Sequence, residues 1–174
     1  MEPGGGRQEA PGAREAETEV QTQGQAQMKS LWENDGRDEI LRRIRALSAD
    51  RRPQWGKLTA PQMLAHISDQ IRMALGDVPA RRGSGWLSVP PINYLMIYVV
   101  PWPHGTKGPS EAFTTKPATW DSDHEQLLTL IERFCDKQQQ QTWPEHPLFG
   151  KLSGKDWAAL SYKHLSHHLR QFGV

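Results

Sequence analysis

The chain has 174 residues, enough for one domain with a real core, and 21 Lys and Arg against 20 Asp and Glu leave a net charge of +1. That balance excludes the electrostatic footprint of a nucleic-acid or anionic-membrane binder, and the single cysteine excludes an internal disulfide framework. With no stretch near the roughly 20 apolar residues of a membrane span and no apolar secretory core at the N-terminus, the expectation is a soluble cytoplasmic protein.

Residues 1–27 read as a disordered extension. Gly4-Gly5-Gly6 and the Gln-, Glu- and Thr-rich run that follows hold almost no large apolar side chains, so ordering them would not repay its entropy. Residues 28–174 form the expected folded unit, with Met28 a candidate start.

Four helices carry usable signals. The first, over 37–48, spaces Ile40, Leu41, Ile44 and Leu47 at the helical period and leaves Arg42, Arg43 and Arg45 off that stripe. The second, over 60–75, opens with Thr59 and Gln62 in a capping-box pattern, tolerates Pro61 in its first turn and stops at Gly76. Its apolar residues include Met63, Leu64, Ile67 and Ile71. A crossover over 77–121 follows, with seven prolines; inside it 92–100 is almost wholly apolar, and a short helix is preferred there because no partner strand is evident. The third helix, over 122–136, has Ser122 and Glu125 in capping positions, and the fourth, over 153–172, has Ser153 and Asp156. The expected fold class is all-α, a four-helix bundle with a long crossover between its second and third helices.

Seven histidines are present, three of them in the last eleven residues. At about 100° per residue His164 and His168 lie about 40° apart on one face, among Trp157, Leu160, Ser161 and Phe172. His66 sits at the edge of the second helix's apolar face with Met63, Gln70 and Met73. A single core-edge histidine is most often a satisfied structural residue. Three on two helices offer the neutral nitrogen ligands of an open, catalytic-type site, and zinc, nickel or another borderline divalent ion suits imidazole. A zincin is a poor fit, because Leu165 stands where that motif needs its glutamate. His167 falls at the boundary of the inward face. His104, His124 and His146 fall in loops or at a helix start and are expected to be solvated, with His146 the best placed to line a cavity. Asp69 is the nearest carboxylate to His66, with a surface or helix-end role expected, and Cys135 is expected to be a packed thiol. Arg81-Arg82-Gly83 reads as a solvated turn. Trp86, Trp102, Trp120 and Trp143 flank the connections and suit either core packing or a pocket for an organic substrate.

Trp55, Leu58-Thr59-Ala60-Pro61-Gln62-Met63-Leu64-Ala65-His66 and the run from His164 through His168 to Gln171 together resemble the DinB/YfiT-like superfamily of four-helix metalloproteins. His146-Pro147-Leu148-Phe149-Gly150 and Tyr162 to Gly173 look closer to a bacterial branch of unknown function. The resemblance implies that His66, His164 and His168 bind one divalent metal ion and that Gln171 supports the site from outside the ligand set. It also implies a transferase using a low-molecular-weight thiol and an electrophilic small molecule. The alternatives are a metal-dependent hydrolase, a non-catalytic metal or small-molecule binding module, or a bundle whose site is left empty. Bundles of this kind can pair through apolar helix faces, so a homodimer is an expectation, although no such face stands out.

Overall fold

The structure, a computed structural model, describes residues 29–79, 85–105, 108 and 110–174. The N-terminal extension and Arg81-Arg82-Gly83 lie outside the described residues. Five helices order the described residues: α1 (Asn34–Arg45), α2 (Ala60–Leu75), the short α3 (Ile92–Tyr94) running on into a wider π-type turn at Leu95–Val99, α4 (Trp120–Asp136) and α5 (Gly154–Gln171). No strand is present among the described residues, so the fold is all-α, as the periodicity required. None of the described helices is long and apolar enough to cross a membrane.

Two helix starts are built as their sequences dictate. Thr59 and Gln62 close a reciprocal capping box on α2, and Ser153 and Asp156 close another on α5, satisfying backbone donors that each first turn would otherwise orphan. Gly76 ends α2 in the left-handed conformation at φ +81°, where any other residue would be strained. The expected cap at Ser122 is not used. α4 begins earlier, at Trp120, because the Asp123 carboxylate reaches back to the Ala118 amide. α1 also starts earlier than its apolar stripe suggests. Gly36 lies so close to the Ser30 carbonyl that a side chain there would collide with it.

α2 is the central element. It is buried along most of its length and packs against α4, α5 and the turn at Ser110–Phe113, while α1 packs on α5. The core between them is filled by Met63, Leu64, Ile67, Ile131, Phe134 and Trp157, all fully buried. Arg43, expected on the solvated side of α1, is 7% exposed. The C-terminal residues fold back over it, and its guanidinium donates to the Val174 carbonyl, the Ser166 hydroxyl and carbonyl, and Glu39. Cys135 is buried with its thiol on the Leu31 carbonyl, and burial pushes its pKa up, so it is the packed thiol expected.

Candidate metal centre

α2 and α5 bring the three histidines to one point. The Nε2 atoms of His66, His164 and His168 stand 3.1 Å apart on every side of a triangle. Nitrogens held about 2.0–2.1 Å from one ion stand about 2.9 Å apart on an octahedral face and about 3.3 Å apart in a tetrahedron. The observed triangle lies between the two, and the three residues form a group able to hold a metal ion.

The outer nitrogens decide which atoms face inward. His66 Nδ1 lies 2.7 Å from the Ala112 carbonyl, an acceptor only, so Nδ1 carries the proton and Nε2 offers its lone pair. His168 Nδ1 lies 2.9 Å from Gln171 Oε1. The Gln171 amide is held in that orientation by its other end, which donates to the Trp55 carbonyl at 2.7 Å. His168 therefore also turns a bare Nε2 toward the centre. Two converging lone pairs at 3.1 Å repel one another unless a proton or a cation lies between them. His164 Nδ1 is buried without a hydrogen-bond partner among the described residues, which leaves its ring free to present Nε2 in the same way. Such outer partners fix the tautomer and orientation of metal-binding imidazoles in general.

Electrostatics favour the neutral rings that a cation requires. Burial pulls the pKa of His66 down against the Ala112 contact. It pulls His168 to about 3, aided by His66 and opposed by Gln171. His164 is driven well below the ordinary imidazole value by burial first and by His168 and His66 next.

The chain segments around the triad are fixed for recognisable reasons. Gly56, at φ +81°, lies so close to the Gln171 carboxamide that a side chain there would collide with it. Asp69, expected at the surface, is completely buried. It accepts the Thr114 amide and hydroxyl, the Thr115 amide and hydroxyl, and the Arg72 guanidinium. Burial alone would raise this carboxyl, but the Thr115, Thr114 and Arg72 bonds outweigh it and hold the pKa below the usual value. Asp69 is thus the anchor of the loop that carries the Ala112 carbonyl and Phe113, whose ring stacks on His66 at 4.3 Å. The sequence signalled Asp69 by position alone; Ala112 and Phe113 lie in a segment without periodicity and carried no signal.

A cavity of about 530 Å³ opens beside the triad, lined by all three histidines and Gln171 together with Trp55, Trp102, Phe113 and Phe149 among others. His146 and His167 line it too, yet no fourth His, Cys, Asp or Glu among the described residues joins the triad. His146 is 4% exposed rather than solvated, and its Nδ1 accepts the Leu148 and Phe149 amides. His104 stacks on Trp55 at 4.0 Å, and His124 donates to the Ile44 carbonyl, so neither is merely hydrated. Of the tryptophans at the connections, Trp102 lines the cavity, Trp143 joins the core, Trp120 packs against it and Trp86 is exposed.

A family model described as "Protein of unknown function (DUF1569)" matches residues 25–173. Among curated proteins and among solved structures, no match is found.

Proposed function

The chain belongs to the DUF1569 family of proteins of unknown function, and from its site we propose a divalent-metal protein that uses His66, His164 and His168 to serve transfer of a low-molecular-weight thiol onto an electrophilic small molecule. We read the bundle as a branch of the DinB/YfiT-like superfamily, with zinc or nickel as the ion. The observation that carries this reading is three bare or baring Nε2 atoms 3.1 Å apart in the wall of a cavity large enough for an organic molecule.

When bound, a divalent ion supplies a Lewis acid that favours the thiolate form of a thiol at neutral pH. The remaining contributions belong to the chain. Gln171 and the Ala112 carbonyl hold the Nδ1 protons of His168 and His66 and so keep both rings aimed inward. The apolar walls exclude water, which strengthens every electrostatic interaction at the triad. Hydrolysis is the weaker reading. A water nucleophile calls for a nearby general base; no Asp or Glu lines the cavity among the described residues, Asp69 being fully engaged with its loop, so that role would fall to His146 or His167 in the wall.

Elemental analysis of the purified protein against His168→Ala tests the premise. Near-stoichiometric zinc or nickel that is lost in the variant supports it, with thiol-consumption assays on model electrophiles to follow. An equal metal content in both proteins contradicts the assignment of His168. A metal-loaded protein that consumes no thiol would leave the binding-module reading in its place.

A further inference from the structure

The walls of the cavity define the chemistry of what enters it. Met73, Leu87, Met96, Trp102, Leu148 and Phe149 make up much of its surface beyond the triad. Among the described residues no Asp, Glu or Arg lines it, and its one permanently charged residue, Lys57, is exposed to solvent. Two backbone amides donate to the Nδ1 of His146, at 3.0 and 3.2 Å, and fix its ring in the wall. Away from the triad and from Lys57, a charged group on a ligand would therefore lose its hydration against these walls and find no counter-charge among the described residues.

Three lining residues, Trp55, Gln70 and His164, each carry a buried polar atom with no hydrogen-bond partner among the described residues. Gln70, one turn along α2 from His66, is 3% exposed and bonds Ser161 on α5 at 3.0 Å through one end of its carboxamide. Its other end, Oε1, is buried and has no partner among the described residues. The volume of about 530 Å³ falls within the range of sites that enclose drug-sized molecules.

We infer that this cavity takes an uncharged, predominantly apolar small molecule, which presents one metal-binding end to the triad and lays a hydrocarbon or aromatic body against Met96, Trp102, Leu148 and Phe149. The inference rests on the metal reading, and within the thiol-transfer reading this molecule is the electrophile, not the polar thiol.

The test uses zinc-loaded full-length protein and a series of alkyl hydroxamates sharing one metal-binding head, from acetyl through butanoyl and hexanoyl to octanoyl. Binding is followed by calorimetry and by quenching of tryptophan fluorescence. Affinity rises by about fourfold for each buried methylene, to about 4,000-fold when all six added across the series are buried. An octanoyl-length analogue ending in a carboxylate loses most of that gain, and the metal-free protein binds the whole series far more weakly. Affinities within about threefold across the series on protein that retains its zinc, or a preference for the carboxylate, overturn this inference and leave the metal reading standing. Protein that holds no zinc, or that binds the series equally well with and without it, overturns both.

Discussion

Helices α2 and α5 meet the crossover at the same cavity, yet the two are held in place by different means. α2 and α5 each start on a capping box, with α2 buried along most of its length and α5 along its inner face. The crossover leaves Trp86 68%, Val99 61% and Tyr94 57% exposed. It is tied down by a few side chains: Lys163 of α5 donates to the carbonyls of Met96, Ile97 and Val100, the Tyr98 hydroxyl donates to Asp156 at 2.7 Å, and the Trp102 indole donates to the Met96 carbonyl. Burial pulls the Lys163 ammonium down to about 8, but three carbonyls and the Trp102 face, 5.6 Å away, favour its charged form. The difference teaches a division of labour. The ion-facing side rests on buried helices, whereas the ligand-facing wall hangs on polar tethers that can be cut one at a time.

Removing His66 or His168 breaks the rigid side. Either change to Ala leaves two ligands and lowers zinc affinity by more than about 1,000-fold, read by competition with a chromophoric chelator. Asp69→Ala follows in size. It leaves the half-buried Arg72 with only Thr115 and Gln126 and strips the 114–115 amides of their acceptor, costing about 2–4 kcal/mol in urea unfolding.

Acid acts on the same side. In the metal-free protein His168 has a pKa of about 3 when folded, against about 6.5 when unfolded. The unfolded chain therefore binds the proton first. Stability is complete above about pH 6.5 and is lost progressively as pH falls toward 3, by about 2 kcal/mol at pH 5 from this residue alone. Urea midpoints that do not move between pH 8 and pH 5 would break this account.

Gln171→Leu sharpens the comparison at its seam. It frees His168 Nδ1 and the Trp55 carbonyl, and zinc affinity falls by about 10–100-fold while the fold survives. Lys163→Met, the smallest effect, costs about 1–2 kcal/mol. It weakens octanoyl hydroxamate binding several-fold but leaves zinc affinity within about twofold.

The sequence disclosed the rigid side because helical periodicity is a strong local rule. The four-residue spacing places His164 and His168 on one face, and the capping pairs locate the starts of α2 and α5 within a residue. The wall was harder to read. Ala112 contributes a backbone carbonyl, which no side-chain pattern announces, and Phe113 reaches His66 from a loop anchored by Asp69 across 45 and 46 residues of sequence. Arg43 and Asp69 looked like solvated charges because their partners come from distant segments that fold back over them. The apolar run at 92–100 was legible as a short helix, but not its widening into a π-type turn, which leaves carbonyls for the Lys163 ammonium.

X-ray absorption on the zinc-loaded protein tests the central claim most directly. The account predicts nitrogen or oxygen neighbours at about 2.0–2.1 Å with multiple scattering from three imidazoles, falling to two in His168→Ala. A wild-type spectrum with one imidazole or none, or with sulfur from Cys135, would contradict it.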